Sequence, residues 1–320
     1  PSTLVPRPVP PELCERITAH ARAHIDRFRP DVVIGFGGSW LNGARRLARE
    51  LGATSVFYLA NPAYERANMD CFDEIDVVLV PSKWMQRHYR ERLGLETEVY
   101  RDLIPPMRSC FGEAPADRAV LRSGAGFVTM VNPSPEKGAM VFFRLADMAR
   151  NSRDWTFLAV QARWSRGQWV DAGVSIDVLD NIWWIDSQRD ITRVFDRSAV
   201  LLAPSVWDEP SARIVAEAQL SGLPVIASDI GGLPEQLSGG GFTAPVPASN
   251  RERMGALPTV EEVQPWFDAV DTLLSSEAVY RSAIERALTA SAHFRHEARV
   301  PEVVGRFEAF VAAAHARKAA

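Results

Sequence analysis

Cysteine is scarce. Cys14, Cys71 and Cys110 are three in 320 residues, too few and too widely spaced for a disulfide framework, a CxxC redox centre or a metal knuckle. That scarcity fits a reducing compartment, and a cytoplasmic location is expected. No run approaches the ~20 apolar residues that a membrane-spanning helix needs, and the first twenty residues carry no apolar leader core. Any membrane contact is therefore expected to be peripheral. Basic runs are missing too: 36 Lys and Arg are interleaved with 40 Asp and Glu for a net charge of −4. Nothing there tracks a phosphate backbone, so nucleic acid is excluded as a partner. His20, His24, His88, His293, His296 and His315 show no metal or triad spacing. An initiating Met is also lacking. The chain opens at Pro1 with PSTLVPRPVPPE, which reads as a processed chain or a fragment.

What is present is the balance of a globular protein, 47% hydrophobic and 24% charged, long enough for two cores of ordinary size. Periodicity predicts a helix from about Glu12 to Phe28, then DVVIG (31–35), an apolar run of the kind found in buried parallel strands. A helix (41–51), a strand (55–60), a strand (76–80) and a helix ending near Gly94 follow. The Pro- and Gly-rich stretch from Ile104 to Gly126 interrupts this alternation, and it restarts at Phe127. Strands are expected at 127–132, 156–161, 182–185, 200–203 and 224–228, with helices at 138–150 and 210–221 and a short one before 200. These make a complete doubly wound lobe. Helical stretches near 260–275, 278–293 and 301–316 close the chain. Three parts are expected: 1–112, 120–298, and a C-terminal helix over 299–320 returning toward the first lobe.

The most informative segment is Ser205-Val-Trp-Asp-Glu-Pro-Ser-Ala-Arg-Ile-Val-Ala-Glu217. It reads as a strand end, a turn and an amphipathic helix, with Glu209 as N-cap and Pro210 at the first helical position. The amides of Ser211, Ala212 and Arg213 would then point from a positive helix end, suited to phosphate or polarised hydroxyls. Glu209 and Glu217 would share a helix face, returning to within about 80° and advancing roughly 12 Å. A plain cap at Glu209 and a solvated Glu217 are the bland alternative. In open α/β sheets, ligands bind at the carboxyl ends of the strands, where this turn lies.

This stretch resembles glycosyltransferase family 4, whose signature is a Glu-x7-Glu pair on a strand-turn-helix. The likeness continues through Gly222-Leu-Pro-Val-Ile-Ala-Ser-Asp-Ile-Gly-Gly-Leu-Pro-Glu235 and extends upstream to Val131-Asn-Pro-Ser-Pro-Glu-Lys-Gly138. It is close over 127–235 and fainter over 76–89. The resemblance implies an α/β fold of two Rossmann-like lobes (GT-B type), with a donor cleft between them and an N-terminal lobe that is incomplete. It implies a retaining, metal-independent hexosyltransferase that moves a sugar from a nucleoside diphosphate sugar, its co-substrate, to a hydroxyl acceptor. No Asp-x-Asp occurs, so no metal is expected, and no cofactor. The acceptor could be a lipid, a saccharide or a small metabolite.

Carried over by residue, the resemblance assigns Glu209 to the transferred sugar's hydroxyls, Glu217 to the ribose and Lys137 to the diphosphate. A Lys just before a helix-opening Gly meets leaving-group charge as a point cation. Glu209 and Lys137 are thus the catalytic candidates. Asn132, Gly138, Arg163, Ser211, Ala212, Arg213, Gly231 and Gly232 complete the donor set. Gly231 and Gly232 would let backbone approach the donor, although a tight turn explains them equally well. Gly37, Gly38, Trp40 and Asn61 fall on the acceptor side.

Departures from the family pattern matter. Asn132 or Pro133 stands where Arg is usual, so Arg213, Arg163 or Arg166 would have to replace that cation. Ser211-Ala212 replaces an aromatic-glycine pair. Only about 110 residues make up the N-terminal lobe: either the first strands of that lobe lie on sequence not shown, the favoured reading, or Gly37-Gly38 takes over the role of its Gly-rich loop. Trp164 and Trp169 either stack on a ligand or pack in a loop, and Trp183 and Trp184 are expected to pack within their strand. The rival to transfer is a non-catalytic sugar-nucleotide-binding or partner-binding protein of the same fold.

Overall fold

Short apolar runs bounded by Gly, Pro and Asp become parallel strands because both their faces are covered by helices. The computed structural model describes residues 10–112 and 114–319, and the Pro-rich opening, residues 1–9, lies outside them. The chain forms two compact units, one reaching Asp102 and resuming at Arg299, the other spanning Leu103–Ala298.

The first unit runs α1 (Pro11–Phe28), β1 (Val32–Gly35), α2 (Asn42–Glu50), β2 (Thr54–Tyr58), β3 (Val77–Val80), α3 (Lys83–Leu93) and β4 (Glu98–Val99). Its strands are all parallel, in the order β1-β2-β3-β4. DVVIG is thus an edge strand, not a strand buried on both sides, and Ile34 is half exposed. The core gathers Phe57, Leu59, Phe72, Val80, Met85 and Tyr89. The C-terminal helix (His296–Ala319), which begins before Pro301 and contains it, packs Phe310 on Val56 and Leu79. Thr54 Oγ1 donates to Phe310 O at 2.8 Å, and Lys318 Nζ pairs with Asp31 at 2.7 Å.

The second unit runs β5 (Phe127–Val131), α4 (Ala139–Ala149), β6 (Phe157–Val160), α5 (Arg166–Asp171), β7 (Ile182–Ile185), α6 (Thr192–Phe195), β8 (Ser198–Ala203), α7 (Arg213–Leu220), β9 (Val225–Ser228), α8 (Leu233–Leu237), β10 (Phe242–Ala244), α9 (Ala248–Glu252), α10 (Val260–Ser275) and α11 (Glu277–Ala290). Its sheet, parallel throughout, has the order β10-β9-β8-β5-β6-β7. Every residue of β8 is buried, as a strand covered on both faces requires. Trp266 and Tyr280 are wholly buried, their polar ends spent on Pro245 O (3.0 Å) and Ala199 O (2.6 Å). Burial pushes the Tyr280 phenol well above its ordinary pKa. The strand order reverses between β5 and β8, so the loops after these two strands diverge into a crevice at their carboxyl ends.

Candidate functional site

That crevice holds the two catalytic candidates, Lys137 and Glu209. After β5 the chain turns through Asn132, which adopts φ 58°, and reaches Lys137 and Gly138, the N-cap of α4 with φ 82°. After β8 it passes Ser205 and Trp207 to Glu209, whose relative exposure is 4%. Lys137 Nζ and Glu209 Oε2 form a short salt bridge. Ser205 Oγ (3.1 Å) and Trp207 Nε1 (3.0 Å) donate to the same oxygen. The Lys137 ammonium also lies 5.6 Å from the centre of the Trp207 ring, within cation–π reach. A carboxylate this buried is tolerable only because it is paired and hydrogen-bonded.

The two loops are stitched together by main chain. Val206 N donates to Glu136 O at 3.0 Å. A Cβ on Gly138 would fall 1.8 Å from Pro204 O, so only glycine permits this approach. Gly231, with φ 60°, lies against Glu209 in the same way: a Cβ there would sit 2.5 Å from Glu209 O and 2.6 Å from its N. Gly232 N donates to Glu209 O at 2.6 Å. The close approach at Gly231-Gly232 is therefore made to the Glu209 backbone.

This corrects the expected local geometry. Helix α7 begins at Arg213 with Ala212 as its N-cap, not at Pro210 with Glu209 as cap. Lys137, Ser205 and Trp207 all engage Glu209 Oε2 and Gly232 N takes its carbonyl, which draws Glu209 toward the loops after β5 and β9 rather than onto a helix end. Glu209 and Glu217 consequently do not share a helix, and their separation along an axis lapses. Glu217 sits on α7 itself, mostly buried and 3.3 Å from Arg213 Nη2. Ser211 Oγ bonds Gln236 Oε1 at 2.9 Å. Asn132 Oδ1 accepts from Arg163 N at 3.1 Å. Of the arginines considered for phosphate, Arg213 is held by Glu217 and Arg166 by Asp177, while Arg163 forms no ion pair among the described residues. Trp169, on α5 rather than in a loop, is buried and donates to Pro133 O at 2.7 Å. Trp184 packs on Phe143, but Trp183 is 61% exposed, contrary to its expected packing role.

In the first unit, Gly37, Gly38 and Trp40 follow β1, and Asn61 follows β2. The Trp40 ring folds back over Gly38, where a Cβ would come within 2.7 Å of it. Tyr89 OH donates to Asn61 O at 2.6 Å, and Tyr64 OH reaches Gly37 O at 3.3 Å. Tyr64 N in turn donates to Tyr89 OH. The two tyrosines, which sequence reasoning missed, thus tie the glycine loop to Asn61. Burial pushes the Tyr89 phenol up to about 12. Ser205 and Trp207 were also missed as functional groups; their signal is nearness to Glu209 in sequence.

Residues 122–276 match the family model of glycosyl transferases group 1, which supports a glycosyltransferase family for the second unit. The D-inositol 3-phosphate glycosyltransferase of Mycobacterium sp. (strain KMS) is 34% identical over 107 residues, 33% of this chain and 21% of that protein. The matched stretch thus spans about a fifth of that curated relative. Among solved structures, a glycosyltransferase from Rickettsia africae aligns with a TM-score of 0.70 at 15% identity, covering 96% of this chain and 83% of that one. Anabaena HepE in complex with UDP and glucose aligns with a TM-score of 0.70 at 17% identity, covering 93% and 81%. Sucrose-phosphate synthase from Thermosynechococcus elongatus aligns with 0.71 at 16%, covering 95% and 81%. The fold is the GT-B type of these enzymes.

Proposed function

We propose that the chain transfers a hexose, with retention, from a nucleoside diphosphate sugar to a hydroxyl acceptor, without a metal, in the cytoplasm. The observation that carries this reading is the Lys137–Glu209 pair at the switch point of the second sheet. A diphosphate entering the crevice competes for the Lys137 ammonium, while Ser205 and Trp207 continue to hold Glu209 Oε2. Glu209 then accepts hydrogen bonds from the hydroxyls of the transferred sugar, and Glu217 from the ribose. As the bond from the anomeric carbon to the phosphate oxygen breaks, Lys137 stabilises the charge gathering on that oxygen. The acceptor oxygen attacks the same face, and its proton passes to the leaving phosphate. The products are a glycoside and a nucleoside diphosphate, and no protein nucleophile is consumed. The acceptor, a lipid, saccharide or small metabolite, is assigned to Gly37, Gly38, Trp40 and Asn61.

The complex of a structural neighbour with UDP and glucose makes a uridine donor the first to try. Thermal unfolding against a panel of nucleoside diphosphates and their sugars tests the donor site, since a ligand at 100 times its Kd adds about 2.7 kcal/mol. The reading expects a shift confined to one base, absent in Glu217→Ala, and turnover of that sugar nucleotide lost in Lys137→Ala. A shift without release of sugar would favour a non-catalytic binding protein, and no shift with any nucleotide would sink the donor site.

A further inference from the structure

The second unit carries another concave site, which sugar transfer does not use. β7 is the margin of its sheet, and its side chains alternate. Trp184 turns to Phe143 of α4, which sends Trp183 and Ile185 to the opposite face. The cover there is α6, a single turn of four residues, and it leaves a cavity of about 440 Å³. Its floor is apolar, made by Phe127, Leu158, Trp183, Ile185 and Val194. Trp183 stands 6.2 Å from Phe127, centre to centre, at 54°, so the two rings form a bent wall. An indole left 61% exposed beside other apolar groups is costly to keep in water.

The edge of the cavity carries one sign of charge. Arg193 and Arg197 line it, and no carboxylate does. Arg197 forms no side-chain hydrogen bond or ion pair among the described residues. Arg193 is only loosely held, 3.6 Å from Asp190 and 82% exposed. The lining of the cavity includes none of Lys137, Glu209 and Glu217, and reaches Gln188 on the loop after β7. Phe127 opens β5 and Arg197 immediately precedes β8, whereas Lys137 and Glu209 follow the carboxyl ends of these strands. An apolar hollow of this size with a few convergent polar groups has the form of a small-ligand site.

We propose that this cavity binds a free amphiphilic anion, with its aromatic or acyl body against Trp183 and Phe127 and its carboxylate, sulfonate or phosphate on Arg197 and Arg193. The probe is 8-anilinonaphthalene-1-sulfonate, titrated into the full chain and followed by fluorescence. Saturable binding of one probe per chain is expected, displaced by dodecanoate at concentrations about tenfold lower than those needed with dodecyltrimethylammonium. Trp183→Ala should weaken it about tenfold or more, and Arg197→Gln several-fold for the anions alone. Both positions are exposed, and an unchanged near-ultraviolet spectrum and melting point check that each variant folds. Nucleotide-induced stabilisation should persist in both, which separates failure here from failure of the donor reading. Non-saturable binding, equal displacement by the cation, or full affinity in Trp183→Ala would each overturn the proposal. So would a Trp183-dependent self-association, which would make the hollow an interface between copies, or Trp183-dependent binding to phosphatidylglycerol vesicles with no affinity for dodecanoate.

Discussion

Gly138→Ala isolates how much of the site depends on backbone proximity. The residue holds φ 82°, and an added Cβ would lie 1.8 Å from Pro204 O and 2.7 Å from Pro204 C. Carbon contacts settle near 3.5 Å, so the loop after β8 must retreat by about 1.7 Å. The left-handed backbone alone costs about 1–2 kcal/mol for a residue with a Cβ, and forced overpacking adds about 1–3. The sum, about 2–5 kcal/mol, is a large share of a typical folding free energy. Gly173→Ala is the control: its φ is 79°, yet nothing lies within 4 Å of its Cβ, so it carries the backbone cost without the clash. Urea unfolding of both variants, at matched slopes, separates the two contributions. The same retreat pulls Glu209 from Lys137, and misplacement of about 1 Å can cost about 100-fold in turnover. If Gly138→Ala destabilised no more than Gly173→Ala and kept its donor turnover, the contact between these loops would not be what holds the pair.

Trp207→Phe keeps an aromatic ring beside Lys137 but removes the N–H that Glu209 accepts at 3.0 Å; a stability loss of about 1 kcal/mol and weaker donor binding are expected, measured by unfolding with and without nucleotide. Tyr280→Phe deletes the 2.6 Å bond to Ala199 O in the core and should cost about 1 kcal/mol in urea unfolding without altering nucleotide affinity. Glu262 ties α9 to α10, and the Ser249 N–H it accepts, with that of Thr259, holds its carboxyl below the ordinary 4.5. A depressed folded pKa gives stability that is present above the unfolded value and lost as pH falls through the folded one. Glu262→Gln should therefore cost about 1 kcal/mol at pH 7, with the gap to the natural chain closing as pH falls below the ordinary 4.5 and through the lowered folded value, in a pH series of melts.

Much of the architecture is legible because β5, β6, β8 and β9 are largely apolar runs, long enough to be strands. The shortest elements are not: β4 has two residues and β10 three, below any period that a window detects. The exposure of Trp183 is not legible because alternation tells that successive side chains oppose one another without telling which face is covered. The start of α7 failed for a different reason. Glu-Pro is a sound helix opening by local rule, but residues from 137 and 231–232, distant in sequence, had already engaged Glu209. The pairing of Lys137 with Glu209 is not legible in the sequence: the resemblance gives each a separate role at the donor, 72 residues separate them, and no spacing rule connects one strand's loop to another's.

The glycines explain why this site is hard to read from side chains alone. In the proposed reaction Lys137 and Glu209 carry the chemistry, and their meeting depends on two positions with no side chain, Gly138 against Pro204 and Gly231 against the Glu209 main chain. Each is a positive-φ residue at the carboxyl end of a different strand, so the loops after β5, β8 and β9 close on one another before any ligand arrives. A buried carboxylate held from the side by Ser205 and Trp207 and from behind by a glycine turn has little freedom to reorganise. Such fixed polarity is what favours charge development in a transition state over tight binding of the ground state. It follows that a Lys137→Arg exchange is not conservative here: the longer planar cation would have to fit where a compact ammonium meets the Glu209 carboxylate and the Trp207 ring.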